Sequence, residues 1–203
     1  MTAGWTIGTI RGPAAGAGRR RLIAKVGGSL LARSDWPADL AALIAALPRP
    51  LLLVVGGGAV VDGLRTLDAA CPRPPELMHA LAIDAMRITA RLVADALGVT
   101  VVTDATGSDA VAVLDAPSWL DAHPRWHTEL PAGWHVTSDS IAAVVAAALA
   151  ADLVLAKSIA PPCADGDLAA LAAAGWVDAH FPTAARAVDA IAWAAPALSL
   201  RPH

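Results

Sequence analysis

The sequence contains few cysteines, and they are not clustered. Cys71 and Cys163 are the only two among 203 residues, and neither belongs to a C-x-x-C pair or a His-Cys cluster. This spacing predicts neither a disulfide framework nor a zinc site, and no metal ligands are assigned from the sequence. Two isolated thiols are typical of a protein in the reducing cytoplasm.

Charged residues are also scarce, and the two signs nearly balance. They make up 16% of the chain, against 56% hydrophobic residues, and the formal net charge is −3. Such a chain lacks the basic surface that nucleic acids require, so we expect no nucleic-acid partner. The hydrophobic fraction excludes a disordered protein and, at this length, predicts one well-buried domain.

Long unbroken hydrophobic runs are missing. The most apolar stretch, 140–156, is mostly alanine and contains Asp152, so it predicts a buried helix followed by a strand and no membrane partner. Residues 1–18 are rich in Gly and Ala, and the three arginines come after them, which is the reverse of a signal peptide. We therefore expect a flexible tail over 1–20 and a single domain over 21–203.

Short apolar runs alternate with helical patterns along the rest of the chain. Apolar runs predict strands at 21–26, 51–55, 99–103, 111–114 and 152–156, and the continuous run at 51–55 is typical of a strand buried on both faces of a parallel sheet. Periodicity and breakers predict helices over about 35–47, 58–70, 76–97, 138–151, 167–174 and 183–194, and an irregular loop over 115–131. This alternation is typical of an open α/β sheet.

A polar group of residues precedes the most apolar helix. The sequence Thr137-Ser138-Asp139-Ser140 carries an N-cap signal, and the helix dipole favours the ionised form of an acid in the first turn. Asp139 is therefore either a simple capping acid or a carboxylate with a role in a site.

Two glycine turns follow predicted strands. Lys25-Val26-Gly27-Gly28-Ser29 and Gly56-Gly57-Gly58-Ala59 each place small residues where backbone amides can meet an anion. Neither is a Walker A loop, and the second is not a dinucleotide fingerprint because Val61 replaces the third glycine. Each is a candidate phosphate site or an ordinary tight turn.

Lysine occurs only twice in the chain. Lys25 and Lys157 each stand at the end of a predicted buried strand, where the ligand crevice of an open α/β sheet lies. A single such lysine could be a surface residue, but two of them with two glycine turns indicate an anion site.

Four ordered motifs resemble those of the amino acid kinase family, which includes acetylglutamate, aspartate, carbamate and uridylate kinases. They are KVGGSL at 25–30, VVGGGA at 54–59, TSDSIAA at 137–143 and ADLVLAKS at 151–158. The resemblance covers about residues 21–160. It implies an α/β fold, a three-layer αβα sandwich around a mainly parallel sheet, with ATP bound over its carboxyl-terminal half.

The resemblance also implies roles for individual residues. Lys25 would hold the moving phosphoryl group from the acceptor side, Lys157 would hold it from the nucleotide side, and Asp139 would orient both lysines. Mg²⁺ would bridge the nucleotide phosphates. The residues expected to bind phosphate or substrate are Gly27, Gly28, Ser29, Gly56, Gly57, Gly58, His79, Met86, His135, Thr137 and Ser138. On the nucleotide side they are Lys157, Ser158, Asp165 and Gly166, where the Asp-Gly turn that relatives place after the lysine is displaced by Ile159–Cys163.

Within the family, the segments around 79–86 and 134–140 are similar to small kinases of methanofuran and methylofuran biosynthesis. That similarity implies transfer from ATP to an (aminomethyl)furanmethanol phosphate, with His79, His135 and the tryptophans of 119–134 around a flat ring. The alternative for these side chains is that the tryptophans pack in the core and the histidines lie at the surface. The alternatives are a uridylate- or amino-acid-type kinase and a non-catalytic member that binds nucleotide or oxyanions. The apolar arc of 76–97 predicts a homodimer or a higher homo-oligomer.

Overall fold

Strands and helices alternate through most of the chain in the computed structural model, which describes residues 4–13, 21–105, 110–163 and 166–197. The strands are β1 (Trp5–Arg11), β2 (Leu22–Val26), β3 (Leu51–Val55), β4 (Thr100–Val102), β5 (Val111–Leu114), β6 (Asp152–Ala156) and β7 (Ile191–Pro196). The α-helices are α1 (Trp36–Ala46), α2 (Gly58–Ala70), α3 (Pro75–Leu97), α4 (Ala116–Ala122), α5 (Pro124–His127), α6 (Ser138–Ala148), α7 (Leu168–Ala173) and α8 (Phe181–Ala184). A 3₁₀ helix covers Gly28–Ala32.

The seven strands form one sheet in the order β1-β7-β6-β2-β3-β5-β4. Every neighbouring pair is parallel except β1 and β7, which are antiparallel. Strand β2 lies at the centre, where Lys25 is level with Val54 of β3 and Leu155 of β6. The predicted α/β class with a mainly parallel sheet is confirmed.

Side chains of the central strands alternate between two hydrophobic cores, one on each face of the sheet. Ile23 of β2 packs with Ile141 of α6 in one core. Its neighbours Leu22 and Ala24 pack with Leu40 of α1 in the other. Helices therefore cover both faces, and β2, β3 and β6 are buried along their whole length, as central parallel strands require, whereas the edge strand β4 is largely exposed.

The flexible tail expected over residues 1–20 is wrong for Trp5–Arg11, which form β1. This strand pairs antiparallel along β7, and the Trp5 indole N–H donates to the Asp39 carbonyl oxygen at 2.8 Å. Residues 1–3 and 14–20 lie outside the described residues. The sequence of β1, WTIGTIR, consists mainly of aromatic and β-branched residues, which favour strands, and this local preference agrees with its pairing along β7.

Two further predictions are corrected nearer the carboxyl terminus. The helix expected over 183–194 is wrong for most of that range. Helix α8 covers only Phe181–Ala184, and Ile191–Pro196 form β7 between β6 and β1. Alanine favours helix in isolation, but burial between two strands overrides that preference here. The irregular loop expected over 115–131 contains α4 and α5, and the Asp115 carboxylate caps α4 by accepting from the Ser118 amide at 3.2 Å.

No helix in the described ranges combines the length and the apolar character that crossing a bilayer demands.

Candidate active site

The carboxyl ends of three neighbouring strands meet at one edge of the sheet. Val26 of β2 is level with Val55 of β3 and with Ala156 of β6. Gly27, Gly56 and Lys157 follow these residues directly, so both glycine turns and the second lysine leave the sheet at the same place. Ligand crevices of open α/β sheets lie at such an edge.

Both lysines reach the carboxylate at the start of α6. Lys25 alternates with Ala24 and Val26, which face the other core, so its side chain lies on the α6 face of the sheet. Lys25 Nζ lies 2.8 Å from Asp139 Oδ1, and Lys157 Nζ lies 2.7 Å from Asp139 Oδ2. Lys25 of β2 therefore forms one charged cluster with Asp139 and Lys157, which lie on distant elements of the chain.

Burial makes this cluster electrostatically unusual. Lys25 and Asp139 are each 4% exposed. Burial by itself would raise the pKa of Asp139, but the charges of Lys25 and Lys157 and their hydrogen bonds outweigh it and hold that pKa below its ordinary value. The carboxylate stays ionised, and the cluster carries a net positive charge that an anion can neutralise.

The ammonium of Lys157 is easier to deprotonate than an ordinary lysine. Burial and, after it, the neighbouring charge of Lys25 lower its pKa to about 8, against the opposing effects of Asp139 and Asp178. Its Nζ also donates to the Trp176 carbonyl oxygen and lies 5.0 Å from the centre of the Trp176 ring. Lys157 is therefore mostly charged at neutral pH and loses its proton as the pH rises through about 8.

The two glycine turns pack directly against each other. A Cβ atom on Gly28 would lie 2.3 Å from the Gly58 amide nitrogen, and one on Gly56 would lie 2.7 Å from Ser138 Oγ. Gly58 has a φ of 52°, in the left-handed region that favours glycine. A Cβ on Gly27 would come within 3.8 Å of Lys25 Nζ. The glycines thus allow close backbone contact and leave space beside the Lys25 ammonium.

A cavity of about 260 Å³ opens beside these turns. It is enclosed by the glycine turns, α2, α3 and the start of α6. The predicted binding residues that line it are Gly28, Ser29, Gly56, Gly57, Gly58, His79, Met86, Thr137 and Ser138. His135 is exposed and does not line this cavity, although it was predicted with the others. Its backbone carbonyl instead accepts from the His180 amide at 3.3 Å.

The outer wall of the cavity was not predicted from the sequence. Arg65 of α2 lies over the Trp134 ring at 5.2 Å, and both residues line the cavity. The Trp134 indole N–H donates to Asp68 Oδ2 at 2.8 Å, and Arg65 Nη1 donates to Asp62 Oδ1 at 2.8 Å. Trp134 was one of the tryptophans considered for a ring pocket, whereas Trp119 is buried in the core. Nothing in the spacing of Arg65 distinguishes it from other surface arginines.

His79 presents an unsatisfied ring nitrogen at the cavity wall. Its Nε2 atom is buried and has no hydrogen-bond partner within the described part of the chain, and the residue is 7% exposed. Burial lowers its pKa, and the neighbouring His127 and His135 lower it further, while a hydrogen bond to the backbone of Gly133 acts the other way. The imidazole is therefore neutral at physiological pH, and its Nε2 is available to a bound molecule.

The residues predicted for the nucleotide side lie further out. Ser158 is exposed, and its Oγ accepts from Ser29 Oγ at 3.3 Å. Gly166 has a φ of 87°, and Asp165 lies outside the described residues. The sequence did not single out two further residues on this side, Trp176 and Asp178. The Trp176 carbonyl oxygen accepts from Lys157 Nζ, and the Asp178 carboxylate accepts from Thr137 at the start of α6.

Carboxylates do not gather around the cluster as they would around a resident metal. No three His, Cys, Asp or Glu side chains come together as metal ligands in the ranges 4–13, 21–105, 110–163 and 166–197. The donor set at the sheet edge consists of ammonium groups and amides, which fits the phosphate oxygens of a nucleotide better than a bare cation.

Comparisons with known proteins bear on the fold. The sequence model of the Amino acid kinase family matches residues 20–118, just under half of the chain. No curated protein matches the chain significantly. Among solved structures, uridylate kinase from Archaeoglobus fulgidus is similar with a TM-score of 0.58 and 16% identity, covering 86% of this chain and 90% of that one. UMP kinase from Ureaplasma parvum gives a TM-score of 0.49 and 16% identity, covering 69% and 68%.

These findings define the fold class. The chain has the amino acid kinase fold, a mixed α/β sandwich like that of the archaeal uridylate kinase. The family resemblance carried by the first two motifs is supported by the match over residues 20–118.

Proposed function

We propose that this protein is a small-molecule kinase that uses ATP. The observation that carries the proposal is the buried cluster of Lys25, Asp139 and Lys157 beside two glycine turns and a cavity. Phosphoryl transfer requires in-line positioning and neutralisation of charge on the equatorial oxygens more than acid–base chemistry. Two ammonium groups fixed by one ionised carboxylate provide that neutralisation without reorganisation.

Each residue of the cluster has a separate task in the transfer. Lys25 borders the glycine turns and holds the phosphoryl group from the acceptor side, and Lys157 holds it from the nucleotide side. Asp139 keeps the ammonium groups at a fixed separation. An oxygen of the acceptor forms a bond to the γ-phosphorus as the bond to the bridging β–γ oxygen breaks, and ADP leaves with that oxygen.

ATP with Mg²⁺ supplies the transferable phosphoryl group when bound. Lys157, Ser158 and the amide of Gly28 are the residues that would hold its phosphates, because the Gly27 amide already donates to the Ala156 carbonyl oxygen at 2.8 Å. The missing side chain at Gly27 is the feature that fits, because a Cβ there would fill the space beside the Lys25 ammonium, 3.8 Å from its Nζ. Mg²⁺ would be carried on the nucleotide phosphates, since ammonium groups and amides are not metal ligands.

We propose an (aminomethyl)furanmethanol phosphate as the acceptor, which places the protein in methylofuran or methanofuran biosynthesis and in one-carbon metabolism in the cytoplasm. The cavity is small, and ligand sites of about 300 Å³ and above are usual for larger molecules. Trp134 and Met86 provide flat and apolar surface for a ring, and Arg65 and the glycine amides provide donors for a phosphate. His79 can accept from a donor on the same molecule through Nε2.

The test is ATP turnover with a panel of acceptors: the furan phosphate, uridylate and aspartate. ADP formation is measured for the wild-type protein and for Lys25→Met. Turnover with the furan phosphate alone supports the full proposal, and turnover with uridylate or aspartate retains the kinase and replaces the acceptor. Binding of ATP without phosphorylation of any acceptor would point to the non-catalytic alternative.

We also propose that the protein is a homo-oligomer through one face of α3. Leu77, Leu81, Ile88 and Leu92 are between 37% and 58% exposed and recur at intervals of four, seven and four residues, which places them on one side of a helix. Leu67 of α2, at 67% exposed, adds to the apolar surface. Sedimentation should show a dimer or larger species at micromolar concentration, and Ile88→Asp should shift it towards monomer. A wild-type monomer contradicts the proposal.

A further inference from the structure

Asp178 lies outside every motif of the sequence, yet its carboxylate accepts six hydrogen bonds. Oδ2 accepts from Thr137 N at 2.9 Å, Thr137 Oγ1 at 2.8 Å and Ser140 N at 3.0 Å. Oδ1 accepts from Ser140 Oγ at 2.6 Å, His180 N at 3.1 Å and Phe181 N at 2.9 Å. All six partners donate, so the position of the Asp178 side chain suits an ionised carboxylate, which accepts hydrogen bonds on both oxygens.

These bonds tie the first turn of α6 to a distant segment. Thr137 caps α6 only weakly by itself, because its hydroxyl accepts from the Asp139 amide at 3.4 Å. Asp178 therefore supplies the main capping acceptor from about forty residues away, to the turn that carries Asp139. A shift of this turn would move the Asp139 carboxylate relative to the lysines.

The same segment also contacts the second lysine. Trp176, two residues before Asp178, offers its carbonyl oxygen and its ring face to the Lys157 ammonium. Trp176 is 6% exposed, and its indole N–H donates to the Ile159 carbonyl oxygen at 3.1 Å, so it is itself fixed. The short stretch from Trp176 to Asp178 thus contacts Lys157 directly and holds the turn that carries Asp139 through Thr137 and Ser140.

We propose that Asp178 is a positioning residue of the phosphoryl-transfer site, which locks the first turn of α6 to the Trp176–Phe181 turn and so fixes the geometry of Asp139 and Lys157. This inference rests on the proposed kinase function. Asp178 touches neither substrate nor the reacting atoms, and it acts through the residues that do.

The charge of Asp178 gives the proposal a second readout. The charged groups that act on the Lys157 ammonium are Asp139 from α6, Lys25 from β2 and Asp178 from the turn. The two carboxylates favour the protonated form, whereas burial and Lys25 oppose it. Neutralising Asp178 should therefore let Lys157 lose its proton at lower pH.

The test compares Asp178→Asn with Asp115→Asn. Asp115 is also a buried carboxylate that caps a helix, but its bonds go to Ser118 of α4 and Arg87 of α3. We expect Asp178→Asn to lower kcat by about 10- to 100-fold, as small misplacements at a reacting centre do. The alkaline limb of kcat/KM should also move by about half a pH unit or more towards lower pH. Asp115→Asn should lower thermal stability without moving that limb.

A readout independent of turnover comes from the lysine content. With only two lysines in the chain, isotope-labelled lysine gives two side-chain NMR signals, which Lys25→Met assigns. The Lys157 signal should titrate at lower pH in Asp178→Asn than in the wild-type protein. If no acceptor is phosphorylated, the kinase proposal fails, and this titration still decides whether Asp178 acts on Lys157.

A milder substitution covers the case in which Asp178→Asn does not fold. Ser140→Ala removes one of the six bonds and keeps the charge, so it should lower kcat several-fold and leave the alkaline limb in place. Wild-type kcat in a folded Asp178→Asn with an unchanged Lys157 titration would overturn the proposal, and where Asp178→Asn does not fold, wild-type kcat in Ser140→Ala would overturn it.

Discussion

The two sides of Asp139 are built in different ways. On the Lys25 side, two glycine turns from neighbouring strands pack backbone against backbone, and Gly28 and Gly58 lie too close for any side chain. On the Lys157 side, bulky and charged residues from a distant segment, Trp176 and Asp178, enclose the ammonium and the start of α6. The first side depends on missing side chains, and the second depends on particular side chains that are present. Substitutions on the Lys25 side should therefore disrupt the site by steric overlap. Substitutions on the Lys157 side should disrupt it by removing contacts or charge.

The largest effect should come from removing either ammonium group. Lys25→Met or Lys157→Met is expected to lower kcat/KM by about two to four orders of magnitude, because each removes a preorganised donor to the moving phosphoryl group. Steady-state kinetics with circular dichroism as a folding check provides the measurement. Equal activity of Lys157→Met and wild type would mean that only the glycine side of the site is catalytic.

The glycine side can be tested by adding one methyl group. Gly28→Ala would place a Cβ 2.3 Å from the Gly58 amide nitrogen, and we expect a loss of about 3 kcal/mol in the free energy of unfolding together with lost activity. The matched control is Gly63→Ala within α2, where no atom lies within 4 Å of an added Cβ. That variant should be more stable by about 1 kcal/mol, since alanine is the better helix former. Denaturant unfolding of both variants measures the contrast, and a neutral Gly28→Ala contradicts the tight packing.

The Lys157 side should show a pH dependence that the glycine side lacks. The Lys157 pKa of about 8 means that the free enzyme loses this positive charge as pH rises, so kcat/KM should fall about tenfold per pH unit above that value. Lys157→Arg stays charged throughout this range and should remove the decline, whatever its absolute rate. A profile that is flat for the wild-type enzyme up to the ordinary lysine pKa would show that Lys157 is not required in its charged form.

The smallest effect is expected at the cavity wall. Arg65 is 44% exposed at its side chain, so Arg65→Ala should raise KM for an anionic acceptor by about tenfold and leave KM for ATP unchanged. Arg49→Ala is the control, because Arg49 is exposed just before β3, at the opposite edge of the sheet. Equal KM values for the two variants would exclude Arg65 from acceptor binding.

Most of the sheet and part of the site could be predicted from local pattern. Continuous apolar runs indicated β2, β3, β5 and β6, and the Lys25 and Lys157 positions at strand ends indicated the functional edge. The glycines were recognisable because each follows a buried strand. β7 was missed because half of its residues are alanines, which favour helix in isolation. β1 was missed although its sequence WTIGTIR favours a strand, because the Gly- and Ala-rich composition around it indicated a tail.

The residues missed at the site share one property: their role depends on a contact made far away in the sequence. Asp178 and Trp176 lie in a segment without a motif, and Arg65 resembles any exposed arginine on a helix. His135 shows the opposite error. It stands two residues from Thr137, yet the turn before α6 directs it to the surface, outside the cavity.

The sequence by itself determined the strands that are buried on both faces, the glycines that permit close turns, and the presence of only two lysines, because burial, backbone freedom and composition are local properties. The tertiary structure alone decided that those lysines share one carboxylate, that Asp178 caps α6 from across the chain, and that Arg65 and Trp134 close the cavity. Charges and hydrogen bonds act over a few ångströms of space, and only the folded sheet brings these residues within that range.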